Sequence, residues 1–134
     1  MPIERRAGLK INSLTLGKGV DQALLFHCSL ANSRAWLPLA DEFKDILSMI
    51  ALDLPGHGMS QEWDYTSDYQ DRCLDISSTF INKPIHLVGH SFGATVALRV
   101  AQRFPDFVKS ISLIEPVFFA AAFSDYGELE ARFM

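Results

Sequence analysis

The chain has 134 residues, and its 16 acidic side chains against 12 basic ones give a net charge of −4, which argues against a nucleic-acid partner. The composition is 49% hydrophobic, and no apolar run approaches the roughly 18 residues of a membrane span. These values predict a single globular domain with no membrane association. A polar N-terminus, and two cysteines without disulfide or metal-ligand spacing, predict a cytoplasmic protein with no metal and no organic cofactor.

Short apolar runs alternate with amphipathic segments along the chain. The predicted elements in order are an antiparallel strand at 9–16, a buried strand at 23–26, a helix capped by Ser33, a buried strand at 46–54, a helix at 67–81, a buried strand at 85–88 in which His86 is expected to be buried, a helix ending at Phe104, and a strand at 108–114. This alternation predicts an α/β fold, a mostly parallel sheet with helices on both faces.

The carboxyl ends of parallel strands are where ligands bind in sheets of this kind. The loops after Phe26, Leu52 and Val88 are therefore expected to share one edge of the sheet. That arrangement brings the segments 27–29 and 53–57 close to Ser91.

Gly89-His90-Ser91-Phe92-Gly93 follows the strand at 85–88 and precedes a helix, which is the setting of a G-x-S-x-G nucleophile elbow. Glycines at both ends let strand and helix approach closely, while Ser91 is held exposed in a strained turn. The Phe92 N–H, at the helix N-terminus, would face an oxyanion formed at Ser91. The alternative is a tight turn in which Ser91 only caps the helix.

Three motifs together resemble the α/β-hydrolase superfamily. They are Phe26-His27-Cys28-Ser29 followed by Trp36, the run Asp53-Leu54-Pro55-Gly56-His57-Gly58-Met59-Ser60, and the elbow itself. The resemblance is to small esterases and C–C bond hydrolases that carry a lid. It implies an α/β-hydrolase core over residues 1–116 that lacks the C-terminal strands, and the start of a lid-like helical segment at 117–134.

The resemblance also assigns roles within the site. Ser91 would be the catalytic nucleophile, and the Ser29 N–H the second oxyanion donor beside Phe92. Cys28 stands where the family usually has glycine, so its side chain is expected to narrow the space inside the oxyanion loop. Cys28 would line the site together with His27 and His90.

The family order is serine, then an acid, then histidine, and none of the 43 residues from 92 to 134 is histidine. His27 and His57 lie in family loops, where a structural role is expected, and His90 is expected to point away from Ser91. Glu115 is a candidate acid, although a plain strand-end role is the simpler interpretation. The base is therefore expected from outside this sequence.

Other reactive side chains have simpler explanations. Asp53 is expected to brace its loop. Cys28 and Cys73 have no partner base and are expected to be small packed residues.

Two functions remain open from the sequence. The first is a serine hydrolase acting on an ester, thioester or similar acyl bond of a small molecule. The second is a non-catalytic, hydrolase-derived half-domain that binds a ligand or a partner chain. An apolar strand at 108–114 left at the sheet edge would favour an oligomer, a complementing chain or marginal stability.

Overall fold

A computed structural model describes residues 3–116 of the chain. Its strands are β1 (Ile3–Arg6), β2 (Leu9–Leu16), β3 (Asp21–Phe26), β4 (Leu47–Leu52), β5 (Ile85–His90) and β6 (Val108–Ile114). Its helices are α1 (Leu37–Phe43), α2 (Tyr69–Ser78) and α3 (Phe92–Arg103), with 3₁₀ turns at Ser33–Trp36 and Pro105–Phe107. The predicted lid-like segment at 117–134 lies outside the described residues.

The strands form one sheet in the order β1-β2-β4-β3-β5-β6. Strands β4, β3, β5 and β6 are mutually parallel, whereas β1 and β2 run antiparallel to their neighbours. The mostly parallel sheet and the antiparallel strand at 9–16 are therefore confirmed. Strand β1 was not predicted, because its sequence Ile-Glu-Arg-Arg is largely exposed and carries no apolar alternation.

Helices cover both faces of the sheet, as expected. On one face α2 and α3 bury Cys73, Ile76 and Val96 against β3 and β5. On the other face Trp36 and Ala40 pack on apolar residues of β3 and β4. The α/β architecture with helices on both faces is confirmed, and it holds β3, β4 and β5 at the centre of the molecule.

Two helix starts differ from the prediction. Ser33 does not cap the segment that leads into α1; the Asn32 side chain accepts the Arg34 N–H at 2.9 Å instead. The Ser33 backbone N–H donates to the Asp53 carboxylate. Helix α2 begins after Asp68, whose carboxylate accepts the Asp71 N–H and so sets the helix start two residues later than predicted.

Strand β6 forms one edge of the sheet within residues 3–116. It pairs with β5 from Ile85↔Val108 to His90↔Ile114. His86 faces the side away from α3 and is half-exposed, with its Nδ1 2.6 Å from the Ser110 hydroxyl. The prediction that His86 is buried is wrong, because in the described part of the chain the helix on this side, α1, packs over β3 and β4 instead.

None of the helices within residues 3–116 is both long enough and apolar enough to cross a bilayer.

Candidate active site

The turn between β5 and α3 contains a single residue, Ser91. Its backbone has φ +54° and ψ −115°, a region that a non-glycine residue rarely occupies and that costs of order 1–3 kcal/mol. The surrounding structure holds this conformation in part through the Ser91 N–H, which donates to the Ile114 carbonyl at 2.9 Å. The backbone strain is therefore located at Ser91, where the chain passes from strand β5 into helix α3.

Ser91 does not serve as a cap for α3. Helix α3 lies entirely within the described residues, and the Ser91 side chain makes no capping hydrogen bond to it. The residue is half-exposed. A serine whose only role was to cap the helix would accept an N–H of the first turn. The geometry thus disfavours the simpler alternative raised by the sequence.

Two glycines allow this turn to form. A Cβ on Gly89 would lie 2.5 Å from the Gly93 carbonyl oxygen and 2.6 Å from the Ala94 Cα. A Cβ on Gly93 would collide with the carbonyl oxygens of Phe26 and His27. The first of these approaches joins strand β5 to helix α3, and the second brings α3 against the end of β3.

Three loops meet at the carboxyl ends of the central strands, as the sequence predicted. The approach of Gly93 to the end of β3 places the 27–29 loop beside the elbow. The Leu54 N–H, just after β4, donates to His27 Nε2 at 3.0 Å. Phe92 is the first residue of α3, so its N–H has no acceptor within the helix. Ser29 is exposed in the neighbouring loop.

His27 is buried, with 1% of its surface exposed, and both ring nitrogens are engaged. Nδ1 lies 2.7 Å from the Cys28 carbonyl, and Nε2 receives the Leu54 N–H. Since a backbone N–H can only donate, Nε2 carries the lone pair and the proton is on Nδ1. The lone pair is occupied, so His27 in this state is not available as a base for Ser91.

Burial lowers the pKa of His27 below its ordinary value of 6.5, while the hydrogen bond to the Cys28 carbonyl opposes that change. The unfolded chain therefore binds a proton at higher pH than the folded chain does. We expect the contribution of His27 to the free energy of unfolding to be fully present above pH 6.5 and to be lost as the pH falls toward the pKa of the folded state. Urea denaturation at several pH values from about 7.5 to about 5, a range that contains the ordinary histidine pKa, measures this decrease.

The His27→Gln variant, which keeps the other three histidines and removes only the imidazole at position 27, is the control for the pH experiment. Its unfolding free energy should depend less steeply on pH than that of the unmodified chain. Equal slopes would mean that His27 has an ordinary pKa in the folded state.

Asp53 braces the loop after β4, as expected. Its carboxylate accepts the Ser33 N–H at 2.7 Å, and the Asn12 side-chain amide and the Met59 N–H at 2.9 Å each. Burial raises the pKa of Asp53, but these hydrogen bonds prevail, so that its pKa lies below the ordinary value. With its oxygens occupied in this way, Asp53 is a structural carboxylate rather than a nucleophile.

Tyr69 connects this loop to the elbow, and His57 connects it to His27. The Tyr69 hydroxyl donates to the Pro55 carbonyl at 2.7 Å, and the Tyr69 ring centroid lies 5.8 Å from that of Phe92. His57 Nδ1 lies 3.0 Å from the same Pro55 carbonyl, and its ring centroid is 5.0 Å from that of His27. Tyr69 therefore braces the loop against Phe92, the residue that follows Ser91, and His57 packs against His27.

The remaining candidate side chains lie at different places. His90 Nε2 is 3.9 Å from the Glu115 carboxylate, and Glu115, at the end of β6, is largely exposed with φ +47°. Cys28 is half-buried beside His27. Burial raises the pKa of the Cys73 thiol to about 12, so Cys73 is not a nucleophile at neutral pH.

Within residues 3–116, no group of three or more histidine, cysteine, aspartate or glutamate side chains could hold a metal ion. No hydrogen bond joins a histidine to the Ser91 hydroxyl in this same range. The four histidines of the sequence all lie in it.

A sequence profile described as the Alpha/beta hydrolase family matches residues 23–133, which is most of the chain. The chain belongs to the alpha/beta hydrolase family. The resemblance stated from the three motifs is therefore confirmed.

Two relatives are named as hydrolases, each of a different substrate. The 2-(acetamidomethylene)succinate hydrolase of Mesorhizobium japonicum is 35% identical over 111 residues, which are 81% of this chain and 37% of that protein. The (E)-2-((N-methylformamido)methylene)succinate hydrolase of Acinetobacter baylyi is 30% identical over 105 residues, or 76% of this chain and 40% of that protein.

Among solved structures, a mutant epoxide hydrolase from Bacillus megaterium superposes with a TM-score of 0.78. It is 22% identical, and the match covers 85% of this chain and 42% of that one. At this identity the likeness concerns the fold alone. The chain spans about two fifths of the length of these relatives.

Two residues of this alpha/beta hydrolase site were missed in the sequence. Asn12, in the antiparallel strand β2, donates to the Asp53 carboxylate, and the Tyr69 hydroxyl donates to the Pro55 carbonyl. For Asn12 the sequence held no signal, because Leu9 and Ile11 mark one face of the strand and Asn12 alternates to the other. For Tyr69 the sequence held no signal, because its partner is a backbone carbonyl 14 residues away.

Proposed function

We propose that this chain is the nucleophile-bearing part of a serine hydrolase that acts on an ester, thioester or similar acyl bond of a small molecule. The observation that carries the proposal is Ser91 at the turn between β5 and α3, whose backbone is strained and whose side chain makes no capping hydrogen bond to the helix. The φ of +54° is combined with a ψ of −115°, which lies outside the left-handed helical region that non-glycine turn residues ordinarily adopt. Hydrolysis is also the activity in the names of two relatives at 30% identity or more.

In the proposed reaction the Ser91 hydroxyl oxygen attacks the acyl carbonyl carbon. The Phe92 N–H, aided by the positive end of α3, and the Ser29 N–H would stabilise the resulting oxyanion. One such donor contributes about 3–4 kcal/mol to the transition state. Loss of the leaving group gives an acyl-serine, which water then hydrolyses to release the acid.

A base must take the proton of Ser91, and a carboxylate must orient that base. His27 is committed to Leu54 and Cys28. We place the base outside residues 3–116, with Glu115 as the candidate acid at the end of β6. The His90 imidazole 3.9 Å from Glu115 marks where a histidine can approach that carboxylate.

Labelling by a fluorophosphonate, followed by intact mass, tests the nucleophile separately from the base. We expect one adduct per chain, formed faster when imidazole is added as an external base, and no adduct on Ser91→Ala. Ser112→Ala, which changes an exposed serine of β6, is the matched control and should label like the unmodified chain.

The absence of any adduct on the folded chain, with and without imidazole, would contradict the proposal. The second function, a half-domain that binds a ligand or a partner chain, would then be preferred. Its supporting observation is the edge strand β6, where Ser110, Ser112 and Ile114 are exposed and β5 is the only neighbour within the described residues. Edge strands of this kind pair readily with another chain.

A further inference from the structure

The Cys28 carbonyl receives two hydrogen bonds. One comes from His27 Nδ1 at 2.7 Å and the other from the Ala31 N–H at 3.2 Å. The His27 ring is buried, so water does not compete for the first of them. The carbonyl oxygen is therefore held from two sides.

The Cys28 carbonyl and the Ser29 N–H belong to the same peptide group. This group is planar, so that fixing the direction of the C=O also fixes the direction of the N–H, which points the opposite way. We propose that His27 is a positioning residue, which aims the Ser29 N–H by holding the Cys28 carbonyl. Its consequence for catalysis rests on the proposed function, in which Ser29 is an oxyanion donor.

The loop after β4 determines which nitrogen of His27 carries the proton that is donated to the Cys28 carbonyl. The Leu54 N–H donates to Nε2 at 3.0 Å, which requires a lone pair there and leaves the proton on Nδ1. With the opposite tautomer, two donors would meet at Nε2 and two acceptors at the Cys28 carbonyl. The contact between the two loops thus sets the donor that orients the Cys28–Ser29 peptide.

Two substitutions separate the two hydrogen bonds. His27→Asn places an amide nitrogen near the position of Nδ1, so it keeps the donor to Cys28 and loses the acceptor for Leu54. His27→Gln reaches the position of Nε2 with its amide oxygen, so it keeps the acceptor and loses the donor. Each variant removes one hydrogen bond of a buried group, so a role in stability alone predicts similar behaviour for both.

The first measurement is the residual dipolar coupling of the Ser29 N–H in the ¹⁵N-labelled full chain, which reports the orientation of that bond without any catalysis. We expect the coupling to be unchanged in His27→Asn and altered in His27→Gln. The second is the rate at which a fluorophosphonate labels Ser91 in the presence of imidazole. We expect His27→Gln to label about tenfold more slowly than His27→Asn, since one misdirected oxyanion donor is affected.

A Ser29 coupling that is the same in the unmodified chain and in His27→Gln would overturn the proposal, as would equal changes in both variants. If the coupling changes as expected but the unmodified chain is never labelled, the positioning role stands and the proposed hydrolase function fails. Should both variants fail to fold, the long-range ¹H–¹⁵N spectrum of the unmodified chain decides. A proton on Nδ1 supports the proposal, and a proton on Nε2 overturns it.

Discussion

Gly93→Ala is expected to lower the free energy of unfolding by about 3 kcal/mol, as overpacking against fixed atoms does. The new Cβ would collide with the carbonyl oxygens of Phe26 and His27, which are backbone atoms at the end of a central strand. Relief would require α3 or the end of β3 to move. Within an ordinary helix, alanine is instead more stable than glycine by about 0.5–1 kcal/mol, so even the sign of the change is informative.

Urea denaturation followed by circular dichroism measures this loss. Gln102→Ala, on the exposed side of the same helix, is the control and should stay within about 0.5 kcal/mol of the unmodified chain. Any movement of α3 away from β3 would also separate the 27–29 loop from the elbow, so labelling of Ser91 should decrease in Gly93→Ala. An unchanged or increased stability would show that strand and helix are not so close.

Asp53→Asn is expected to destabilise the chain by a similar amount, about 3 kcal/mol. The substitution keeps the size of the side chain but replaces one acceptor oxygen by an NH₂ group. Whichever way the amide turns, that group faces a donor, either the Ser33 N–H or the Asn12 amide with the Met59 N–H. A buried donor without an acceptor costs about 1–3 kcal/mol, and the buried negative charge is lost as well.

The pH dependence distinguishes this cause from a general loss of packing. The pKa of Asp53 in the folded chain lies below its ordinary value of 3.8, so its stabilising contribution is present above that pH and is lost as the pH falls through the folded pKa. The difference between the unmodified chain and Asp53→Asn should therefore close in acid. Asp75→Asn, at an exposed position of α2, should be nearly neutral, and a difference for Asp53→Asn that persisted in acid would exclude the electrostatic cause.

The sequence predicted the central strands well for a definite physical reason. Strands buried on both faces are continuous apolar runs, as Ala23–Phe26 within β3 is. The run at 85–88 also lies within β5, although β5 alternates between buried and half-exposed residues. Strand β1 was not predicted because it is exposed and is stabilised by pairing with β2 and by contacts of Arg6 with Thr79 and Phe80. Pairing between strands leaves no local pattern in the sequence.

Helix boundaries depended on contacts that are distant in the sequence. Ser33 has the right chemistry for a cap, but the side chain that caps the turn is that of Asn32, and the Ser33 N–H donates to Asp53, 20 residues away. His86 was expected to be buried because its neighbours are apolar. It is half-exposed because coverage of a sheet face depends on which helices pack there.

For the site, the amino-acid sequence alone determined the elbow, because Gly-x-Ser-x-Gly between a strand and a helix is a local pattern with a local geometric requirement. It also placed the three loops at one edge, since parallel strands end on the same side. Only the tertiary structure decided the protonation of His27, because the deciding donor is the Leu54 N–H from another loop. Only the tertiary structure, likewise, gave the Asp53 carboxylate its partners, since Asn12, Ser33 and Met59 come together only when the sheet has formed.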